Sequence, residues 1–351
     1  MFSISLREDA MKIICIEEHG IDTAIASAIG QVHSPDTAYF ADWGSRVKDK
    51  PVDDFRPRLL SREVWTQTGL DIGSGRVAVM DEHGIDIQLL SYSNPTQFAP
   101  PAQACDLARE ANDRLATAVS ANPTRFGGFA TLPWQDPSAA AQELERAVKE
   151  LGLCGTLLVG RPGSTFLDDV RYEPVLATLE ELGVPIYIHP GLPLPQVREP
   201  YYGGLDREVS ARLSCFGWGW HHEAGIQVIR MMLSGKFDKF PKLQVISGHW
   251  GEMVPFYLQR MDDTIPQDAS GLSRTISETY KAHVYVTPSG MLDLPHFEFI
   301  HKVLGADRII YSIDYPYLTM GGARSFLENL PISQADKEKF AHGNAERLFK
   351  L

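Results

Sequence analysis

Four short apolar runs in this sequence end in side chains able to bind a metal or move a proton. They are Ile14-Cys-Ile-Glu17-Glu-His19, Pro185-Ile-Tyr-Ile-His189-Pro, Val245-Ile-Ser-Gly-His249-Trp-Gly-Glu252 and Ile309-Ile-Tyr-Ser-Ile-Asp314-Tyr-Pro. Glu17 and His19 stand two apart, so on a strand both project from one face and one strand supplies two ligands. Asp314, closing an apolar strand, needs a cation or hydrogen-bond donors, because a buried unpaired carboxylate is costly. The Asp314 signal is the stronger one; the others are weak alone, since a single His at a strand end is more often a packed core residue and Glu-x-His arises by chance. Together Glu17, His19, His189 and Asp314 offer two imidazoles and two carboxylates. That set suits one divalent ion, Zn²⁺ or Mn²⁺, with positions left open for water or substrate. His249 and Glu252 form a candidate acid–base pair across a strand-to-helix turn. The carboxylate would fix the imidazole tautomer and favour the imidazolium. Asp314 is equally a candidate for delivering a proton, and the sequence leaves the choice between it and His249 open.

Such residues act only if the fold brings them together. Strand-like runs are expected at 12–19, 85–91, 126–132, 155–160, 184–189, 243–249, 284–287 and 308–314. Helical patterns fall at 77–83, 100–121, 136–152, 172–182, 223–233, 252–261, 297–304 and 333–350, with Pro137 opening one helix and Gly183 stopping another. Eight strands separated by helices predict an α/β fold, the (β/α)8 TIM barrel, whose chemistry sits at the carboxyl ends of the strands. A doubly wound open sheet is the competitor. It is disfavoured because the ligand-type residues come from strands one, five, six and eight, and only closure sets strand eight beside strand one.

One domain is expected over residues 1–351, with 1–10 a loose N-terminal extension. Residues 20–80, rich in Gly, Pro, Asp and Ser, are expected to form an insertion or flap after strand one. Residues 194–222, rich in Tyr, Trp and Gly, are expected to form a long loop after strand five. In that loop Trp218 and Trp220 are candidates to wall an aromatic pocket. His221 and His222 are expected to be supporting or surface groups. Gly73-Ser-Gly75 reads as an ordinary loop, and His83 as exposed at a helix end. Arg260 lies two helical turns beyond Glu252; spacing alone leaves substrate contact and a surface salt bridge with Asp262 or Asp263 equally open.

The bulk properties narrow the function. The chain has 351 residues, 44% hydrophobic and 22% charged, with a formal charge of −12. Nucleic acid and anionic membrane surfaces are unsuited partners for such a charge, and no apolar run is long enough to span a bilayer. Cys15, Cys105, Cys154 and Cys215 are scattered with no C-x-x-C pair, so neither a disulfide framework nor a zinc ribbon is expected. The first ten residues lack the apolar core of a secretory signal. A reducing, cytoplasmic location is expected.

The ordered set Glu17-Glu-His19, Met80-Asp-Glu-His-Gly-Ile-Asp86, Ile188-His189-Pro190, Phe237-Asp-Lys-Phe-Pro241, Gly248-His249-Trp-Gly-Glu252, Arg260-Met-Asp262, Asp314-Tyr-Pro316 and the ending Asn344-Ala-Glu-Arg-Leu-Phe-Lys-Leu resembles the amidohydrolase superfamily. The likeness runs from Lys12 to Leu351. It is strongest to the metal-dependent decarboxylases related to aminocarboxymuconate-semialdehyde decarboxylase, among them the dihydroxybenzoate, γ-resorcylate and 5-carboxyvanillate decarboxylases. The resemblance implies metal ligation by Glu17, His19, His189 and Asp314, and a catalytic pair in His249 and Glu252. It also implies that Arg260 meets a substrate carboxylate, in some members across a subunit interface. Two departures matter. Glu17 stands where many amidohydrolases carry a histidine, and Gly155-Thr-Leu-Leu-Val-Gly160 lacks the lysine that bridges two metals in binuclear hydrolases. A single metal is therefore expected. The loop around Phe216-Gly-Trp-Gly-Trp220-His-His222 differs in detail, which leaves the substrate open.

The function expected from these readings is non-oxidative, reversible decarboxylation of an ortho-hydroxylated aromatic acid. It would need one metal per chain and no organic cofactor, in a homodimer or homotetramer. A mononuclear hydrolase of an amide, ester or lactone would use nearly the same residues. A non-catalytic metal-dependent binding protein would leave His249 and Glu252 without a task.

Overall fold

The structure is a computed structural model and describes residues 10–30 and 56–351. Parallel strands alternate with helices. β1 (Ile14–Gly20), β2 (Ile87–Tyr92) and β3 (Phe126–Gly128) form one sheet; β4 (Thr156–Val159), β5 (Ile186–His189), β6 (Val245–Ser247) and β7 (Val284–Val286) form a second. Single parallel bridges span the seams: Ala130 to Thr156, Val286 to Ile309, and Glu18 to Tyr315. This is the strand order of the TIM barrel, with ladders that do not run continuously around it. The segment expected as strand eight, 308–314, is not a ladder strand. Its backbone still bonds on both sides, Ile310 N donating to Val286 O (3.0 Å) and Ile16 N to Tyr311 O (3.1 Å). Asp314, at φ +69°, ends its extended course.

The helices are α1 (Thr23–Gly30), α2 (Arg62–Gly69), α3 (Ser74–His83), α4 (Pro101–Ala121), α5 (Pro137–Lys149), α6 (Glu173–Leu182), α7 (Pro195–Tyr202), α8 (Arg207–Ser214), α9 (Gly219–Leu233), α10 (Val254–Thr264), α11 (Ile276–His283), α12 (Leu294–Leu304), α13 (Ala323–Glu328) and α14 (Asn344–Phe349). Local chemistry sets their ends. The Asp136 carboxylate accepts from Ser138 N and Ala139 N, and Pro137 fits the first turn of α5. Gly183 ends α6 at φ +65°.

Apolar side chains sort into two layers. Ile14, Ile16, Leu89, Phe129, Leu157, Tyr187, Ile246 and Ile310 fill the interior. Ala345 and Phe349 of α14 pack onto them, Phe349 edge-on to Phe129 at 5.5 Å. The larger layer, including Cys15, Leu90, Leu158, Val245 and Tyr311, lies between strands and helices.

Three expectations change. The stretch 194–222 is largely helical: Pro195 opens α7, the Asp206 carboxylate caps α8, and Gly203 and Gly217 lie between helices. Its glycines mark helix boundaries rather than a continuous loop. The helix expected from Glu252 begins at Val254, because His249 through Met253 all hold positive φ. The closing helix expected over 333–350 is interrupted by a wide turn at Lys339–Gly343. Of the expected insertion 20–80, the described part carries α1, α2 and most of α3; residues 31–55, like the extension 1–9, lie outside the described residues. Among the described residues no helix is long and apolar enough to cross a membrane.

Candidate metal centre and active site

β1 supplies two site residues because it is not a regular strand. Its register against β2 shifts between Cys15 and Glu18. Ile14 and Ile16 face the interior, so strict alternation would send Glu17 and His19 outward. The bulge re-phases the strand, a standard way to re-aim a side chain. Glu17 and His19 turn inward and Glu18 outward.

The ligand-type atoms of Glu17, His19, His189 and Asp314 lie within 4.8 Å of one another. His19 Nε2 is 3.2 Å from Asp314 Oδ1, and His189 Nε2 is 3.7 Å from Glu17 Oε1. Glu17 Oε1, His19 Nε2 and Asp314 Oδ1 are buried and accept or donate no hydrogen bond. Buried polar atoms are normally satisfied; three orphans converging from two carboxylates and an imidazole fit one divalent cation. The opposite atoms are held. His189 Nδ1 donates to Pro190 O (2.8 Å), presenting the Nε2 lone pair inward, and His19 Nδ1 bonds Ser91 Oγ (2.9 Å). Thr287 Oγ1 and Ser312 Oγ donate to Glu17 Oε2 (3.3 Å each), as does Ser289 Oγ. Such outer partners orient the ligands and tune their basicity.

Burial dominates the proton affinities here. It drives His19 down to about 4. It drives His189 well below the ordinary imidazole range, and the nearby His19 and His249 add to the effect. It raises Glu17 and pushes Asp314 up to about 7 against the opposing influence of His249 and His221. Two neutral imidazoles and two carboxyls reluctant to ionise without a cation are what a metal site looks like when the ion's own charge is left out of the balance.

Beside this cluster, His249 Nδ1 is 2.8 Å from Glu252 Oε1, and His221 Nδ1 is 2.9 Å from Glu252 Oε2. The two rings lie 4.3 Å apart, with His249 6.3 Å from His189. Burial alone would lower His249, but the Glu252 carboxylate and its hydrogen bond, then Glu17 and Asp314, raise it to about 9. Burial would raise Glu252, yet His249 and His221 hold it below its ordinary value. The pair rests on a left-handed turn in which His249, Trp250, Glu252 and Met253 have φ of 46–66°. Each such non-glycine residue costs roughly 1–2 kcal/mol, and strain of this kind concentrates at functional sites. Ser289 Oγ accepts from His249 N (2.8 Å). Gly248 is required at the entrance, since a Cβ there would come within 2.8 Å of Ser289 Oγ and 2.9 Å of Tyr187 Oη.

The remaining candidates separate. Trp220 is half-buried, donates from Nε1 to His221 Nε2 (3.0 Å) and sits 6.2 Å from the His189 ring. Trp218 is 46% exposed and stands ahead of α9. Arg260 is exposed on α10, and His222 is exposed on α9. Sequence reading did not find Ser91, Thr287, Ser289 and Tyr317, the last 5.5 Å from His19. Ser91 lies two residues past Leu89 on β2, and Thr287 and Ser289 follow β7, so polar residues at strand ends were the available signal. His221 was placed only as a supporting or surface group; the structure sets it against Glu252.

The family model described as Amidohydrolase matches residues 49–351. The chain belongs to that family. Along its length this amidohydrolase is similar to the γ-resorcylate decarboxylase of Polaromonas sp. strain JS666, 39% identical over 87% of this chain and 92% of the relative. Among solved structures it is similar to the 5-carboxyvanillate decarboxylase of Sphingomonas paucimobilis, with TM-score 0.85, 31% identity, and coverage of 97% of this chain and 100% of that one. It is also similar to the dihydroxybenzoic acid decarboxylase of Polaromonas sp. JS666, solved with manganese and the inhibitor 2-nitroresorcinol, with TM-score 0.81, 35% identity and 97% coverage of both chains.

Proposed function

We propose that this amidohydrolase decarboxylates an ortho-hydroxylated aromatic acid of the dihydroxybenzoate type, in a reaction that also runs in reverse. Its place among the carboxy-lyases of the superfamily follows from the family match and from relatives named as decarboxylases. The observation that carries the reading to this chain is the pairing of two unlike groups in one buried site. Metal-type donors lie unsatisfied beside an imidazole raised to about 9. Glu17, His19, His189 and Asp314 would hold one divalent ion, which when bound supplies a Lewis acid for the substrate's carboxylate and adjacent phenolate oxygen.

The chain's own residues do the rest. His249, oriented by Glu252, would protonate the ring carbon that bears the carboxylate. The C–C bond then breaks, CO2 leaves, and its electron pair restores the aromatic ring. No organic electron sink is needed, because the protonated ring is one. Asp314, at about 7, is the alternative proton source. Trp220, Tyr317 and the half-buried Trp65, 5.1 Å from Tyr317, supply aromatic surface for a planar substrate.

A homodimer or homotetramer accounts for Arg260, which would meet the substrate carboxylate of a neighbouring subunit. Support comes from the exposed aromatic face beside it. Phe256 and Tyr257 on α10 are 70% and 53% exposed, and Phe256 lies 5.8 Å from Phe299 of α12. A reducing, cytoplasmic setting agrees with four free cysteines, and the −12 charge argues against nucleic-acid partners.

The test is to incubate manganese-loaded protein with a panel of hydroxybenzoates, following CO2 release and bicarbonate-dependent carboxylation of the product phenols. Turnover of an acid with a hydroxyl ortho to the carboxylate, and none of its para isomer, is expected. Hydrolysis of esters or lactones without CO2 release would sink the assignment.

A further inference from the structure

Glu18 has no place in the site described above, although it lies between two of its ligands. The β1 bulge turns it to the outer face, where its carboxylate is fully buried. There Oε1 accepts from Ile313 N (2.9 Å) and Oε2 from Tyr315 N (3.3 Å). One carboxyl group thus grips the amide N–H groups of the two residues that flank Asp314. Gln88 Nε2 of β2 donates to Oε2 as well (3.2 Å). Buried Arg76 of α3 supplies the counter-charge; it ties the same strand by donating from Nη2 to His19 O (2.5 Å), and is itself held by donating from Nε to Asp71 O (3.0 Å) just ahead of α3.

This grip answers a geometric problem. Asp314 holds φ +69°, a left-handed conformation that costs roughly 1–2 kcal/mol in a residue with a side chain. The segment 309–315 is joined to its neighbours by single bridges and isolated backbone bonds rather than by continuous ladders. Asp314 N donates to Glu17 O (3.0 Å) and His19 N to Tyr315 O (2.6 Å), so the main chains of β1 and this segment interlock around Asp314. Glu18 adds two bonds from the amides of the residues on each side of the strained one; burial pushes its own carboxyl well above the ordinary range, against the opposing pull of the Ile313 amide and Arg76.

We propose that Glu18, backed by Arg76, is a positioning residue for the metal centre: it fixes Asp314 toward His19 and Glu17 by clamping the amides of its neighbours Ile313 and Tyr315 to β1. The inference rests on the metal reading of the cluster. Glu18 touches no ligand atom; it acts through the backbone of Asp314.

The test is manganese(II) affinity, read by spin-resonance titration of metal-free protein, in Glu18→Gln, Asp314→Asn and the double variant. Glu143→Gln serves as control, because Glu143 is also a buried carboxylate paired with an arginine (Arg146, 2.8 Å) but lies on α5. Glutamine at 18 retains one acceptor and turns an N–H toward the other peptide. Glu18→Gln is expected to weaken manganese binding by roughly 10–100-fold, the usual cost of an outer partner, and Glu143→Gln to leave it unchanged even if both lower the melting temperature. In the Asp314→Asn background the Glu18 effect should largely disappear, as it must for two residues acting on one ligand. Wild-type affinity in Glu18→Gln, or an undiminished loss in the double variant, overturns the positioning role. Full affinity in Asp314→Asn overturns the ligand set itself, and the proposal with it. If Glu18→Gln does not fold, Gln88→Leu removes one donor to the same carboxylate and should give a smaller loss that also vanishes with Asp314→Asn; its absence there counts against the clamp.

Discussion

Two buried histidines, His19 and His189, and the partly buried His249 meet at this site, and their proton affinities run in opposite directions. His19 falls to about 4 and His189 lies well below the ordinary range, whereas His249 rises to about 9. Burial pushes all three the same way. The difference is the partner on the second nitrogen: a serine hydroxyl and a backbone carbonyl for the first two, the Glu252 carboxylate for the third. On the proposed function, the neutral half would serve ligation and the charged half proton transfer. Environments that push like groups apart are the usual mark of divided roles.

The largest effect should come from breaking the neutral half. His189→Ala and Asp314→Ala are each expected to lose stoichiometric manganese and all measurable turnover, with elemental analysis of purified protein as the check. About one ion per wild-type chain is expected; two bound ions, or full activity with none, would contradict a mononuclear centre. Breaking the charged half should do something different. His249→Asn is expected to keep its metal and bind aromatic acid, yet turn over roughly 10²–10⁴-fold more slowly. An emptied metal site in that variant would make His249 a ligand and erase the division; a near-normal rate would pass the proton role to Asp314.

A smaller effect belongs to a residue outside both halves. If Arg260 reaches a neighbouring subunit's substrate, Arg260→Ala should raise KM by roughly 10–100-fold, the worth of a hydrogen bond to a charged group, without changing metal content. Phe256→Asp, on the same exposed face, should both dissociate the oligomer and raise KM. A fully active monomer in sedimentation would refute the shared site.

How much of this was legible in the sequence depends on the residue. The strand order and the four ligand-type residues could be read because apolar runs ending in His, Asp or Glu are local patterns. The phase of β1 could not: with Ile14 and Ile16 inside, period-two reasoning places Glu17 and His19 outside, and only the bulge corrects it. The left-handed run from His249 to Met253 was equally hidden, since nothing in Trp250 or Met253 favours positive φ. His221 reaches Glu252 from 31 residues away, a contact that exists only because α9 begins at Gly219 inside a stretch whose composition suggests a loop. Trp218 and Trp220 looked equivalent in sequence, and the turn into α9 sends one to solvent and the other to His189.

The smallest prediction tests the origin of the contrast directly, through the pH dependence of metal-free stability. His249 is raised from 6.5 to about 9 on folding, so its contribution is complete below 6.5 and is lost as pH rises through about 9. Glu252 is lowered from 4.5, so its contribution is present above 4.5 and is lost as pH falls through its depressed folded value. The pair should therefore stabilise most between 4.5 and 6.5. Glu252→Gln removes the carboxylate that causes the rise, and His249 then follows His19 and His189 downward. In chelator, the melting temperature of wild type should exceed that of Glu252→Gln by on the order of a few degrees near pH 6, with the gap closing by pH 9 to 10. In the loaded enzyme a bound dication lowers His249 further, so the alkaline limb of turnover should lie below about 9 and move to lower pH in Glu252→Gln. A gap that stays constant across pH 6–10 would mean that Glu252 supports the left-handed turn only sterically. The contrast among the three histidines would then need a cause other than their partners.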